Sequence, residues 1–120
     1  MTTCGTDIIE INRIKDSIEK HGQNFLKTIY TKNEIEYCES RKLQKYQHYA
    51  ARFAAKEAIY KAISDKIEIP KKWTGFEVLR KENGRPYVKL IPKMDEIKNI
   101  DISLSHCKEY AIANVVVEWK

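Results

Sequence analysis

Apolar and polar positions alternate along residues 4–11, Cys-Gly-Thr-Asp-Ile-Ile-Glu-Ile, which is the two-residue period of a strand. The alternation puts Gly5, Asp7, Ile9 and Ile11 on one face and Cys4, Thr6, Ile8 and Glu10 on the other. Asn12 can cap a short helix over residues 12–20, which His21-Gly22 ends. Another helical turn is expected over 24–29. Thr31 followed by Glu34 is a capping-box pattern, so a helix is predicted over 32–40. The strongest helix is predicted over 45–64, where Ala50, Ala51, Ala54, Ala55, Ala58 and Ala62 are helix formers and small packing residues. Pro70 marks a break. Residues 73–81 then read as a strand, Asn83-Gly84 as a hairpin turn and 87–91 as the returning strand. A connector over 92–98, with room for one helical turn, leads to a second hairpin of 100–105 and 110–118, closing on Trp119. One strand, several helices and two hairpins make an α+β pattern with mainly antiparallel pairing.

The chain has 120 residues, the size of a single domain over 1–120, with no repeat or linker inside it. No apolar run approaches the roughly 20 residues of a membrane span. The first residues lack the basic and apolar regions of a secretory signal. Cys4, Cys38 and Cys107 are odd in number and far apart, which suggests neither a disulfide framework nor a zinc-ligand pair. Reduced thiols and a cytoplasmic location are the expectation. A net charge of +5 suits an anionic partner: nucleic acid, a nucleotide-like ligand or an acidic protein. A lysine-rich surface with no such role fits equally well.

Candidate chemistry sits at a few positions. Asp7 shares a face with Ile9 and Ile11, where a carboxylate is costly unless paired, hydrogen-bonded or bound to metal. Glu57 and Lys61 lie one turn apart on the alanine-rich helix, beside Ala50, Ala54 and Ala58. As an ordinary surface pair they would contribute only about 0.3–0.5 kcal/mol. At about 100° per residue, Arg52 lies roughly 140° around the helix from Glu57. One copy of the helix can hardly aim both at one site, which hints at a site shared between subunits. His106 follows Ile100, Ile102 and Leu104 in strict alternation, so a core or turn role competes with a chemical one. Asn83-Gly84-Arg85-Pro86 is first a turn, though Gly84 would also let a ligand approach the backbone.

In this order, the segments 5–11 (Gly-Thr-Asp-Ile-Ile-Glu-Ile), 52–62 (Arg-Phe-Ala-Ala-Lys-Glu-Ala-Ile-Tyr-Lys-Ala), 83–86 (Asn-Gly-Arg-Pro), 102–106 (Ile-Ser-Leu-Ser-His) and 110–113 (Tyr-Ala-Ile-Ala) resemble the holo-[acyl-carrier-protein] synthase family of phosphopantetheinyl transferases. The resemblance spans the whole chain, and its helix segment is the most specific part. It implies an antiparallel sheet packed against a long central helix and shorter helices. The implied reaction moves 4'-phosphopantetheine from coenzyme A to a carrier-protein serine, releasing adenosine 3',5'-bisphosphate, in support of fatty acid biosynthesis. By the same resemblance Asp7 and Glu57 match the ligands of Mg²⁺, and Lys61 matches a lysine that aids the leaving phosphate. Glu57 is the candidate for taking the serine proton if a side chain does so directly. Arg52 and His106 match residues that bind coenzyme A from a neighbouring subunit of a homotrimer. Phe53, Asn83, Gly84 and Pro86 match the nucleotide side of the cleft. Arg13 matches a contact to the acidic apo acyl carrier protein, a patch that Lys20 and Lys27 could extend. One departure stands out: the family's glycine-containing turn after the helix is here 63–70, Ile-Ser-Asp-Lys-Ile-Glu-Ile-Pro, without glycine, where Lys66 could substitute its charge.

Other readings compete. Transferases for specialised carriers are usually about twice this length with two fused halves. A small basic nucleotide or nucleic-acid binding module would use the seven tyrosines for stacking, but no recognised nucleic-acid motif is present. A trimeric scaffold without catalysis would have no need of Asp7, Glu57 and Lys61 together.

Overall fold

The computed structural model describes residues 1–68, 72–92 and 94–120, so the break expected at Pro70 lies outside the described residues. Strand β1 (Thr2–Glu10) runs into helix α1 (Ile11–His21), followed by α2 (Gln23–Ile29), α3 (Lys32–Ser40) and the long α4 (Lys45–Ile63). Then come β2 (Phe76–Arg80), β3 (Pro86–Leu90), β4 (Ile97–His106) and β5 (Tyr110–Trp119). Single 3₁₀ turns occupy Lys42–Gln44 and Trp73–Gly75. All pairing is antiparallel: β5 is the centre of a β1-β5-β4 sheet, and β2-β3 form a separate two-stranded ribbon. The α+β expectation holds.

Helix α4 is the piece the rest packs around. Its six alanines at 50, 51, 54, 55, 58 and 62 are at most 6% exposed. A helix enclosed on nearly every side has no need of a broad polar face. One flank packs Ala54, Ala55, Ala58, Ile59 and Ala62 against Ile102, Ala113, Val115, Val117 and Trp119 of the sheet. Toward its N-terminal end Ala50 and Ala51 meet a second cluster of Ile14, Ile18, Leu26, Ile29, Tyr30 and Cys38. Burial pushes the Cys38 thiol up to about 12, so it stays protonated and unreactive. All three cysteines are free, with Cys4 and Cys107 exposed.

Local signals decide several boundaries. The capping box is complete: Glu34 N–H donates to Thr31 Oγ1 at 3.3 Å and Thr31 N–H donates to Glu34 Oε1 at 2.8 Å. Gly22 closes α1 at φ 54°, where its N–H donates to the Ile18 carbonyl. The cap expected at Asn12 is corrected. Helix α1 starts at Ile11, Glu10 holds the cap position with no side-chain bond, and Asn12 lies inside the helix. The reason is tertiary: Ile11 N–H donates to the Glu109 carbonyl at 2.9 Å, so one donor at the helix start needs no side chain. Strand β2 begins at Phe76 rather than 73, because the Trp73 carbonyl accepts a hydrogen bond from Lys56 and its ring stacks on Phe53. Strand β4 begins at Ile97 rather than 100, since Ile97 already pairs with Trp119 across a register shift.

Strand β1 lies very close to α4. A Cβ built on Gly5 would lie 2.0 Å from the Ala58 carbonyl oxygen. Thr3 Oγ1 donates to the Ala62 carbonyl at 2.6 Å and accepts from Trp119 Nε1 at 2.9 Å, which ties β1, α4 and the end of β5 together. Gly5→Ala should therefore lower stability by about 2–3 kcal/mol, the upper range for overpacking. The check is the urea midpoint of unfolding. A variant as stable as the parent would mean that β1 and α4 do not approach this closely.

Candidate active site

The close packing of β1 on α4 brings Asp7 beside the helix. Lys61 Nζ donates to Asp7 Oδ1 at 3.1 Å and to the Thr6 carbonyl at 3.0 Å. The Asp7 side chain is 17% exposed and that of Lys61 53%. The salt-bridged reading of Asp7 is realised by this contact. Asp7 and Glu57 line the same open cleft of about 500 Å³. Glu10, Arg13, Ile14, Ser17, Phe25, Phe53 and Tyr110 also line it. Carboxylates and a guanidinium line a cavity with an apolar side, and the Lys61 ammonium is bonded to one of those carboxylates.

On the other flank of α4 lies a different environment. The Arg52 guanidinium carbon sits 4.4 Å from the centre of the Tyr37 ring, and Arg52 is 1% exposed. Arg80 and Arg41 approach the same ring at 5.7 and 5.9 Å. His48 meets it edge-on at 5.4 Å. Desolvation, then the charges of Arg52, Arg41, Arg80 and His106, pull the His48 imidazole down to about 4. His106 is exposed at the end of β4, so the core placement suggested by strict alternation is not realised. It pairs with Ala111 and is close enough to act on His48. The Asn83-Gly84 turn joins this flank through Arg80, whose Nη1 donates to the Gly84 carbonyl at 2.6 Å. Gly84 has φ 88°, and Arg85 N–H donates to Asn83 Oδ1 at 3.0 Å, while Pro86 opens β3.

Between the flanks a buried ion pair sets the rotation of α4. Lys56 Nζ donates to Glu34 Oε1 at 2.6 Å, the Ile29 carbonyl at 2.8 Å and the Trp73 carbonyl at 3.0 Å. Both side chains are at most 1% exposed. Burial pulls the Lys56 ammonium below its ordinary range, opposed by the Glu34 charge. Glu34 Oε2 also accepts from Val78 N–H at 2.8 Å. Every donor of the ammonium is used, the condition under which a buried pair fixes geometry instead of straining it. With Lys56 pointed inward, its neighbour Glu57 faces the cleft.

The expected residues therefore fall into two groups. Asp7, Glu57, Phe53 and Arg13 line the cleft, and Lys61 joins them through its bond to Asp7. Arg52, His106, Asn83 and Gly84 gather on the Tyr37 flank. Phe53 is separated from the turn residues with which it had been grouped: it lines the cleft and stacks on Trp73 at 4.9 Å. Lys20 and Lys27 are exposed on α1 and α2, and Lys66 is exposed just beyond α4, where Ile69 and Pro70 of the glycine-free segment lie outside the described residues. Sequence reasoning missed Tyr37, Arg41, His48 and Arg80. Tyr37/Arg41 and His48/Arg52 are each spaced i, i+4, a visible signal, whereas nothing local marks Arg80.

The alanine-rich helix under an antiparallel sheet, with its acidic cleft, has the form of a compact transferase domain. The family model described as the 4'-phosphopantetheinyl transferase superfamily matches residues 3–115. The holo-[acyl-carrier-protein] synthase of Ruminiclostridium cellulolyticum is 50% identical over 94% of this chain and 89% of its own length. That of Protochlamydia amoebophila is 44% identical over 93% of each. The Helicobacter pylori holo-[acyl-carrier-protein] synthase, solved in complex with coenzyme A, superposes with a TM-score of 0.84 at 31% identity, covering 96% of this chain and 99% of that one. The Bacillus anthracis enzyme, solved in complex with CoA (3',5'-ADP), gives 0.81 at 35% identity, covering 98% and 96%. The chain belongs to the holo-[acyl-carrier-protein] synthase family of this superfamily.

The depressed His48 has a consequence for stability. The unfolded chain binds a proton on this imidazole near pH 6.5, the folded chain only near 4. Stability is therefore unaffected above the unfolded value and falls as the pH drops from about 6.5 toward 4, by on the order of 2–3 kcal/mol. His48→Gln should flatten this part of the profile, measured as unfolding midpoint against pH. An unchanged slope would remove His48 as its source.

Proposed function

We propose that the chain transfers the 4'-phosphopantetheine arm of coenzyme A to a serine of apo acyl carrier protein, releasing adenosine 3',5'-bisphosphate, in support of fatty acid biosynthesis. The observation that carries this reading is that Asp7 and Glu57 line one cleft while Lys61 is bonded to Asp7. The serine oxygen bonds to the β-phosphorus, and the anhydride bond to the α-phosphate breaks. The bisphosphate leaves with that bond's electrons, and the serine proton passes to Glu57. Lys61, anchored by Asp7 and the Thr6 carbonyl, stands where it can neutralise charge growing on the leaving phosphate. Arg13, a cation lining the same cleft, would attract an acidic carrier to it.

The donor set fits Mg²⁺. Among the described residues no group of three or more His, Cys, Asp or Glu side chains could hold a metal. Two carboxylates in an open cleft suit an ion that keeps several waters and takes substrate phosphate oxygens. Asp7 and Glu57 would hold it, and when bound it supplies charge neutralisation at the diphosphate.

The two groups of site residues on opposite flanks of α4 support a homotrimer. In it the Arg52–His106 flank of one subunit completes the cleft of the next. The outer face of the sheet offers a contact surface, with Ile8 61% and Val116 48% exposed. Among the described residues no helix is long and apolar enough to cross a membrane.

Apo carrier protein incubated with coenzyme A and Mg²⁺ should gain the mass of one phosphopantetheine. Asp7→Ala or Glu57→Ala should slow this by about a hundredfold or more, and chelation should stop it reversibly. Undiminished transfer by both variants would overturn the site. Sedimentation should give three chains per particle, and a monomer that transfers at full rate would overturn the shared cleft.

A further inference from the structure

Trp73 stands in a single 3₁₀ turn before β2, outside both sheets. Its ring stacks on Phe53 at 4.9 Å with 24° between the planes, and Phe53 lines the cleft. The backing of that cleft wall therefore depends on what holds residues 73–77. The segment leads into a two-stranded ribbon, a unit that is marginally stable alone. Phe76 and Val78 pack into the core with α4, but apolar burial is non-directional. Direction has to come from hydrogen bonds.

Both ends of the segment are tied to the side chain of Glu34. At the near end, Lys56 Nζ donates to the Trp73 carbonyl at 3.0 Å and to Glu34 Oε1 at 2.6 Å. At the far end, Val78 N–H donates to Glu34 Oε2 at 2.8 Å. Glu77 adds a second far tether: the Thr31 hydroxyl donates to Glu77 Oε2, while Thr31 N–H donates to Glu34 Oε1 at 2.8 Å. The hydroxyl has one proton, and it goes to Glu77 while its oxygen accepts from Glu34 N–H. Glu77 is 4% exposed, whereas Lys89, opposite it in the ribbon, is exposed. Burial pulls the Lys56 ammonium down, and the charges of Glu34 and then Glu77 oppose this. An apolar residue at position 77 would avoid the cost of desolvating a carboxylate. What the carboxylate adds is a fixed direction. One bond at Val78 lets the strand pivot, and a second at its neighbour stops it.

We infer that Glu77 is a positioning residue for the cleft, fixing through Thr31 the segment that sets Trp73 behind Phe53. The inference rests on the function proposed above in one respect: the steadied wall is one that coenzyme A meets. Glu77 itself does not line the cleft and acts through Trp73 and Phe53. Without its bond to Thr31 the strand turns about Val78, and the ring of Trp73 slides on Phe53.

The test labels the full chain with 5-fluorotryptophan, whose two fluorine signals belong to Trp73 and Trp119. Glu77→Met cuts the bond and leaves the cap of α3 intact. It should shift or broaden the Trp73 signal and leave in place that of Trp119, which Thr3 holds. In transfer to carrier protein, its KM for coenzyme A should rise about fivefold with kcat within about twofold, the mark of lost binding and not of lost chemistry. Glu77→Gln, which still accepts from the Thr31 hydroxyl, should restore both readouts. Thr31→Val cuts the same bond from the other end and decides the matter if the methionine variant does not fold. An unmoved Trp73 signal, both signals moving together, or KM and kcat impaired in proportion would each overturn the assignment. A parent that transfers nothing would sink the transferase reading, and the fluorine signals alone would then decide the role of Glu77.

Discussion

The contact between Gly5 and the Ala58 carbonyl is the constraint on which the site depends. Strand and helix meet at a distance that no side chain larger than hydrogen allows at position 5. Two residues further along β1, on the same face, Asp7 is thereby delivered to the turn of α4 that carries Glu57 and Lys61. Were the strand lifted by the width of a methyl group, the Asp7–Lys61 contact at 3.1 Å would open first. The alanines of α4 serve the same end, since they let the sheet lie close along the helix.

Distance is only half of what the cleft needs, because a helix can also turn about its axis. The buried Lys56–Glu34 pair removes that freedom. Its ammonium is held by acceptors from α2, α3 and the segment before β2, and Glu34 reaches on to the backbone of β2. An ion pair of this kind contributes little net stability against an apolar replacement, but it tolerates only one geometry. Lys56 and Glu57 are neighbours with opposite fates. One is sealed inside, and the other consequently opens on the cleft.

The same helix therefore separates two chemistries. One flank concentrates carboxylates beside a lysine, and the other concentrates guanidiniums on an aromatic ring. Within one chain these faces look away from each other, as 140° of helical rotation requires. Such a division is what the proposed cleft shared between copies of the chain requires.

By itself the sequence determined the local features that depend on neighbours along the chain. The capping box at Thr31 and Glu34, the glycine stop at Gly22, the Asn83-Gly84 turn and the strand alternation around Asp7 all appear where short-range geometry demands them. The helical wheel also separated Arg52 from Glu57, because rotation per residue is a property of the helix alone. Tertiary structure decided what depends on groups remote in sequence. Glu109 replaced the expected Asn12 cap, Trp73 left the strand to stack on Phe53, and Arg80 came to the ring that Arg52 covers. In each case the partner lies 20 residues or more away along the chain. No local pattern encodes such a pairing, since it follows from how the helices and sheet settle around α4.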